Sequence, residues 1–151
     1  MNRDKVYGYI EFGKVHLREF KLKNIRGVLN LWKKTGIFFD KWDKKENLVK
    51  KCEMEKDLFI VAEDSEDHII GTVMGVYNGW LAKVDHLAIH PLYQQLGLGT
   101  ILMSRIEKKL KEKGAETILL DVKYNNRKVL RFYKKLGYVI NAKTYSLRKD
   151  I

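Results

Sequence analysis

Gly97 and Gly99 are the residues whose type and spacing point most directly to chemistry. A strand is predicted to end at His90-Pro91 and a helix is predicted over residues 97–113, so both glycines fall in its first turn. Because glycine has no side chain, the N–H groups of that turn stay uncovered, and the helix dipole adds a partial positive charge. Such a helix start suits phosphate groups. Taken alone, the two glycines are explained more simply by close packing of the helix on a strand.

The residues around the glycines exclude two common phosphate-binding loops. No Gly-Lys-Ser or Gly-Lys-Thr follows, as a P-loop requires, and the third glycine of a dinucleotide fingerprint is missing. A second group of residues lies downstream, beyond a predicted strand over residues 117–122: Asn126, Tyr133 and the pair Gly137-Tyr138. The anion site is therefore best interpreted together with this second group.

The two motifs together resemble a known family. The first reads Pro91-x-Tyr93-Gln94-x-x-Gly97-x-Gly99-x-x-Leu102, and the second reads Asn126-x-x-Val129-x-x-x-Tyr133-x-x-x-Gly137-Tyr138. In this order they resemble the two signatures of the GNAT N-acetyltransferase superfamily, in its small stand-alone bacterial and archaeal type. The resemblance covers roughly residues 15–148. Gln95 and Leu96 stand where the family often has Arg, Gly or Lys, which implies fewer side-chain contacts to phosphate.

The resemblance implies acetyl-CoA as the acyl donor, without a metal, and a pyrophosphate held by the backbone of the glycine loop. The fourth strand would hold the pantetheine arm, and the fifth would splay away from it to make room. Asn126 is also expected to cap the helix that begins there. The implied cofactor-binding residues are Leu87, Ala88, Ile89, Gln94, Gln95, Leu96, Gly97, Leu98, Gly99, Thr100, Asn126 and Tyr133.

Tyr133 is the implied general acid. In this family an amine attacks the thioester directly, without an acyl-enzyme, and the resemblance places Tyr133 where it can protonate the departing sulfur. A phenol with a pKa of about 10 can donate to a thiolate whose thiol has a pKa of about 8.5. The alternative is an aromatic side chain that packs on the sheet.

Two aspartates are candidates for the general base that helps the acceptor amine lose its proton. Asp85 lies on the predicted strand before the glycine loop, and Asp121 lies near the end of the strand over residues 117–122. Strand alternation predicts that Asp85, Leu87 and Ile89 share one face. His86 would then point the opposite way, in a packing or capping role.

The net charge of +11 would fit nucleic acid, an acidic membrane surface or an anionic small ligand. The lysines are spread along the chain, and the densest group, within residues 44–51, is followed by acidic residues as on a solvated helix face. No reading helix or basic–aromatic sheet face is recognisable. The longest apolar run, Ile69–Tyr77, is too short to span a bilayer. We therefore expect a cytoplasmic protein with neither nucleic acid nor a membrane as its partner.

The hydrophobic pattern predicts one α/β domain over residues 1–151. The expected GNAT fold has a mixed, mostly antiparallel sheet of about seven strands flanked by about four helices. Helices are predicted over residues 23–34, 44–54, 97–113 and 126–136. Strands are predicted at Val6–Phe12, Val15–Phe20, Leu58–Glu63, Ile69–Tyr77, Lys83–Ile89, Thr117–Val122, Tyr138–Ile140 and Tyr145–Arg148.

The predicted function is transfer of an acetyl group from acetyl-CoA to a primary amine. The acceptor class stays open among a protein N-terminus, a lysine and a small amine, and the resemblance is compatible with a homodimer. A non-catalytic acyl-CoA-binding module is the alternative, and it would keep Gly97 and Gly99 without needing Tyr133.

Overall fold

The computed structural model describes residues 14–151. The chain divides into two compact units, one that ends at Leu120 and one that comprises Asp121–Ile151, and each is described by itself. The predicted strand Val6–Phe12 lies outside the described residues.

The first unit is built on a five-stranded mixed sheet in the order β1-β2-β3-β4-β5. Neighbours from β1 to β4 pair antiparallel, and β5 pairs parallel with β4. The predicted α/β class and the mostly antiparallel sheet are therefore confirmed. The strands are β1 (Val15–Glu19), β2 (Phe59–Asp64), β3 (Ile69–Tyr77), β4 (Ala82–Ile89) and β5 (Ile118–Leu119).

Four helices form in the described residues, as predicted. Three belong to the first unit, α1 (Ile25–Thr35), α2 (Lys45–Glu55) and α3 (Leu98–Glu112), and α4 (Arg127–Lys135) belongs to the second. Each begins and ends within two residues of its predicted bounds, because apolar spacing and terminal glycines mark helices well. Gly36, for example, ends α1 in the left-handed conformation with φ of 75°.

Helix α3 packs on the face of the sheet where β3 carries glycines. A Cβ atom added at Gly71 would lie 3.0 Å from Leu102 Cδ1, and one added at Gly75 would lie 3.1 Å from Ile106 Cδ1. The helix therefore approaches the strand too closely for any larger residue without displacement of its side chains. This close packing fixes where the N-terminus of α3 lies relative to the sheet.

Helices α1 and α2 pack on the opposite face, over an aromatic core. The ring of Phe59 stacks on Phe20 with centroids 4.3 Å apart and on Trp32 with centroids 6.1 Å apart. Leu48 of α2 and Ala88 of β4 complete the same buried cluster. Strand β4 is thus packed against the α1–α2 layer close to the point where the glycine loop begins.

The sheet has fewer strands than predicted. The segments Tyr138–Ile140 and Tyr145–Arg148 do not form strands, and the second unit as described contains one helix and no strand. Strand propensity reflects how well side chains fit a half-buried pleated surface, and here Tyr145 and Leu147 are 95% and 91% exposed. Their β-branched and aromatic composition therefore gave a wrong prediction.

Strands β4 and β5 pair over two residue pairs, Ala82 with Ile118 and Lys83 with Leu119. The strand that was predicted over residues 117–122 therefore pairs with β4 over only two residues. Within residues 14–120, the length of β4 from Val84 to Ile89 has no strand partner on its β5 side. This open edge agrees with the predicted splay between the fourth and fifth strands.

Candidate functional site

Strand β4 carries a bulge at its centre. Thr72 of β3 lies opposite Ala88, and Met74 lies opposite Asp85. The chain therefore advances by three residues on β4 where it advances by two on β3, so β4 contains one extra residue. His86, within the bulge, has a φ of 51°, a left-handed conformation that is uncommon for a residue other than glycine. Such strain is typical of functional sites and persists only where the surroundings hold it in place.

The bulge overturns the prediction that Asp85, Leu87 and Ile89 share one face. Opposed residues in an antiparallel pair project to the same side of the sheet. Asp85 therefore projects on the side of Met74, whereas Ile89, opposite Gly71, projects on the α3 side. The extra residue of a bulge breaks the period of two on which the prediction relied.

A chain of two hydrogen bonds holds the bulge in place. Trp32 Nε1 of α1 donates to Thr72 Oγ1 at 2.9 Å, and Thr72 Oγ1 donates to the carbonyl oxygen of His86, also at 2.9 Å. Trp32 and Thr72 are both fully buried. Helix α1 thereby fixes the backbone of β4 at its one irregular position.

The His86 side chain is held by Asp43, which lies in the connection between α1 and α2. Nε2 of His86 lies 2.9 Å from Oδ1 of Asp43, and the imidazole packs on the Trp32 ring with centroids 4.2 Å apart. Asp43 is 4% exposed, and its Oδ2 accepts a hydrogen bond of 2.8 Å from the backbone N–H of Phe39. A buried carboxylate and an imidazole therefore form an ordered pair beside the bulge.

Nδ1 of His86 is buried and has no hydrogen-bond partner among the described residues. Buried polar atoms are nearly always paired, and an unpaired one in a native structure requires a specific explanation. Sequence reasoning gave His86 a packing role on the face opposite Asp85. The ring does pack on Trp32, but on the face that Asp85 shares, and no local pattern signals a partner 43 residues away.

The segment after β4 is an ordered turn. His90 Nδ1 accepts a hydrogen bond of 3.2 Å from the N–H of Leu92, and Gln94 Nε2 donates to the carbonyl oxygen of Ile89 at 3.0 Å. Gln95 and Gly97 adopt left-handed conformations, with φ of 61° and 90°. Glycine is favoured at position 97 because other residues pay a steric cost at such an angle.

The glycine loop leads directly into the N-terminus of α3. The first bond inside the helix runs from the N–H of Ile101 to the carbonyl oxygen of Gly97, at 3.1 Å. The N–H groups of Leu98, Gly99 and Thr100 come before it, so the helix itself offers them no acceptor. The first turn contains no acidic residue, and no side chain caps it. This arrangement gives the helix start the character of an anion site.

His90 lies where the strand meets this loop. Burial lowers the pKa of His90, and the charge of Lys34, whose Nζ lies 3.4 Å from Nε2, lowers it further. The lowered pKa favours the neutral imidazole, which suits its role as acceptor for the Leu92 N–H. His90 shapes the turn and does not add a positive charge to the loop.

A cleft of about 380 Å³ opens between α1 and the start of β3, and its lining includes Lys23, Lys34, His68 and His90. It lies on the α1 side of the sheet, whereas α3 packs on the opposite side against Gly71. The cleft is thus on the other side of the sheet from α3.

The two aspartates that were candidate bases differ in their settings. The side chain of Asp85 is 37% exposed and lies 3.6 Å from Nζ of Lys83. Asp121 is an exposed residue at the start of the second unit. Asp85 belongs to the first unit, with the glycine loop and His86.

The second unit contains the other predicted site residues. Asn126 Oδ1 accepts a hydrogen bond of 3.2 Å from the N–H of Val129, so Asn126 caps α4 as predicted. Tyr133, in the same helix, is 8% exposed and its ring meets that of Tyr138 edge-on, with centroids 5.6 Å apart. Gly137 follows α4 with φ of 94°.

No group of three or more His, Cys, Asp or Glu side chains in residues 14–151 is arranged to hold a metal ion. No helix among these residues is long and apolar enough to cross a bilayer.

Comparison with known proteins agrees with these features. Residues 26–138 match the model of the acetyltransferase (GNAT) family. The fold is similar to that of Ard1 from Thermoplasma volcanium, with a TM-score of 0.76 at 22% identity over 85% of each chain. It is also similar to the PaiA N-acetyltransferase from Thermoplasma acidophilum in complex with coenzyme A, with a TM-score of 0.76 at 21% identity, covering 86% of this chain and 92% of that one. Naa20 from Chaetomium thermophilum, in complex with a bisubstrate analogue, gives 0.69 at 23% identity over 83% and 71%.

Proposed function

Because the chain belongs to the GNAT acetyltransferase family, we propose that it transfers an acetyl group from acetyl-CoA directly to a primary amine. The observation that carries the proposal is the bulged, open-edged strand β4 that leads through the glycine loop into α3. These elements offer a place for the thioester and a place for the pyrophosphate in one continuous segment. The acceptor is a protein N-terminus, a lysine or a small amine.

The cofactor would be held mainly by backbone groups. The N–H groups of Leu98, Gly99 and Thr100 would bind the pyrophosphate, with the helix dipole adding favourable charge. Gln94 and the left-handed residues after it shape the loop. The neighbour from Thermoplasma acidophilum was solved with coenzyme A, and its similar fold supports binding of the same cofactor here.

The open edge of β4 would hold the pantetheine arm through the backbone of Leu87, Ala88 and Ile89. A bulge leaves a backbone group without its ladder partner, and an N–H at this point can polarise the thioester carbonyl. Orientation of the amine against a fixed thioester would supply most of the remaining rate enhancement, since two bound reactants avoid much of the entropic barrier.

Tyr133 would donate a proton to the departing CoA sulfur. A positioned general acid is worth about 10²–10⁴-fold in rate. The low exposure of Tyr133 and its place in a helix capped by Asn126 are consistent with a fixed orientation. Asp85 and Asp121 are the base candidates that the sequence offers.

Incubation of the protein with acetyl-CoA and a panel of amines and peptides tests the proposal. We expect CoA thiol release together with a product heavier by one acetyl group. Saturable acetyl-CoA binding with no product from any amine would instead indicate a non-catalytic acyl-CoA-binding module.

Three broader predictions accompany this function. We propose that residues 1–151 act as one catalytic domain, that the protein works in the cytoplasm, and that it neither binds nucleic acid nor uses a membrane as its partner. A homodimer is compatible with the family. Salt-titrated DNA binding tests the nucleic-acid prediction, because a functional basic surface would keep measurable affinity at physiological salt.

A further inference from the structure

We propose that His86, oriented by Asp43, is the general base that takes the proton from the acceptor amine. The inference rests on the proposed acetyl transfer and names the base for that reaction. It is carried by the buried Asp43–His86 pair, the unpaired Nδ1 and the strained backbone at the same residue.

The position of His86 in the strand is suited to this role. The residue lies in the bulge of β4, next to Leu87, whose backbone would face the thioester. A base here is next to the residue whose backbone would bind the thioester that the amine attacks. A base needs to reach its proton directly or through one water, and in this proposal His86 does so from its place beside Leu87.

Asp43 determines which nitrogen carries the proton. A carboxylate accepts hydrogen bonds, so the contact of 2.9 Å between Oδ1 and Nε2 places the imidazole proton on Nε2. The lone pair of a neutral ring then lies on Nδ1. Asp43 is itself held by the N–H of Phe39, so the carboxylate cannot easily turn away from the ring. Asp43 is therefore a positioning residue, as the orienting carboxylate is in other histidine bases.

The unpaired Nδ1 is explained by this role. A buried acceptor without a donor is unfavourable, and a purely structural histidine would be expected to use both nitrogens. The side chain keeps 17% exposure although Nδ1 itself is covered. An ammonium group or a water that enters when acetyl-CoA and acceptor bind would supply the missing donor. In structures without substrate, catalytic hydrogen bonds are often long or poorly aligned.

The groups that face His86 are one carboxylate and uncharged side chains. Asp43 provides a negative charge in direct contact, and the side chains that face the ring or its carbonyl from α1 and β3, Trp32 and Thr72, are uncharged. Along β4, Asp85 is the nearest titratable neighbour, and its charge is offset by Lys83. Asp85 is thus a half-exposed, ion-paired carboxylate, which makes it a weaker candidate for the base than His86.

The proton balance of the reaction is complete with these residues. A primary ammonium gives one proton to Nδ1 of His86, and the free amine attacks the thioester carbon. As the C–S bond breaks, Tyr133 gives its phenolic proton to the sulfur and recovers a proton from the nitrogen that has formed the amide bond. His86 then returns its proton to solvent. The products are the acetylated amine, CoA thiol and one proton.

The test is replacement of His86 by glycine, with imidazole added to the buffer. Glycine adopts the left-handed backbone of His86 without strain, so the bulge is retained while the base is removed. We expect kcat/KM to fall about 10²-fold or more, with an acetyl-CoA Kd within about threefold of wild type. Added imidazole should restore a substantial part of the rate, in proportion to its unprotonated fraction.

Three further variants distinguish a catalytic base from a histidine whose role is structural. His86→Gln keeps a donor towards Asp43 but has no titratable nitrogen, so its pH–rate profile should lack the rising limb expected of the wild type. Asp43→Asn should shift that limb, because the neighbouring negative charge is lost. His68→Gln, a change at an exposed histidine, should leave the profile unchanged.

The outcomes are distinguishable. Suppose that the wild-type protein acetylates an amine. The base assignment is then wrong if His86→Gly keeps its kcat/KM. It is also wrong if His86→Gly loses activity without rescue by imidazole and His86→Gln keeps the wild-type pH profile; in both cases the acetyltransferase function stands. If the wild-type protein binds acetyl-CoA and acetylates no amine, the proposed function fails and the base assignment fails with it.

Discussion

Trp32 Nε1 donates a hydrogen bond of 2.9 Å to Thr72 Oγ1 in the interior of the molecule. The same hydroxyl donates to the carbonyl oxygen of His86, so one threonine connects the α1 layer to the bulge of β4. The bond from Trp32 is buried, and the bond to the His86 carbonyl is partly buried. The irregular strand is therefore maintained by a specific polar link in addition to apolar packing.

Replacement of Thr72 by valine should destabilise the protein by about 1–3 kcal/mol, because the change leaves a buried indole N–H and a buried carbonyl unpaired. Urea unfolding monitored by tryptophan fluorescence measures the change. Thr72→Ser keeps the hydroxyl and should stay closer to the wild type. If valine proved as stable as serine, the hydrogen-bonded link would not be what holds the bulge.

Replacement of Gly97 by alanine should weaken acetyl-CoA binding at least about tenfold. A side chain at φ of 90° costs about 1–2 kcal/mol of backbone strain, and the strain falls on the loop that would hold the pyrophosphate. Isothermal titration with acetyl-CoA measures the affinity.

Gly36→Ala is the matched control for that change. Gly36 also has a left-handed backbone, with φ of 75°, and has open space around it, but it ends α1 instead of starting α3. Both variants should lose stability, and only Gly97→Ala should lose affinity. Equal affinities in the two variants would show that the α3 N-terminus does not bind the cofactor.

Replacement of Tyr133 by phenylalanine should lower kcat about 10²-fold or more and leave the acetyl-CoA Kd almost unchanged. The change removes the hydroxyl group whose proton the departing sulfur would accept. Tyr138→Phe is a suitable control because its ring lies edge-on to Tyr133 and its hydroxyl has no assigned role. Steady-state kinetics measure the effect. If Tyr133→Phe turned over as fast as the wild type, the thiolate would leave without help from a general acid.

The ion pair between Arg18 and Glu63 should make stability depend on pH in the acidic range. Hydrogen bonds from Arg18, at 2.9 and 2.7 Å, lower the pKa of Glu63 below 4.5. A carboxyl with a depressed pKa stabilises the folded state fully above its unfolded pKa, and this contribution is lost as the pH falls through the folded value. The free energy of unfolding should therefore decrease below about pH 4.5.

Comparison with two glutamine variants isolates this contribution. Glu63→Gln should flatten the decrease, whereas Glu116→Gln, at an exposed position, should follow the wild type. Urea unfolding between about pH 6 and pH 3 gives the three curves. Parallel curves for all three proteins would show that the pair with Arg18 contributes little to acid sensitivity.

The sequence predicted the regular elements better than their irregularities. Helix bounds follow from apolar spacing and from glycines such as Gly36, which are local signals. The bulge at His86 is not local, because it depends on how β4 registers against β3. The shared face of Asp85 and Ile89 was consequently predicted wrongly. The short paired length of β5 also depends on a neighbour, which propensity does not report.

Sequence patterns likewise found only part of the candidate site. The glycine loop and Asn126 could be predicted because each carries its signal within one motif. The pair of Asp43 and His86 joins two segments that come together only in the folded chain, and Asp43 lies in a polar connection without a recognisable pattern. A strained histidine with a buried carboxylate partner is recognised from coordinates alone.

The most direct test of the account is a single reaction in which CoA thiol and acetylated amine are measured together by mass spectrometry, with the intact protein mass recorded at the same time points. The account predicts one acetylated amine for each thiol released, and a protein mass that stays unchanged throughout turnover. Accumulation of acetylated protein that then passes its acetyl group to the amine would contradict direct transfer, and bound acetyl-CoA without thiol release would contradict the acetyltransferase function itself.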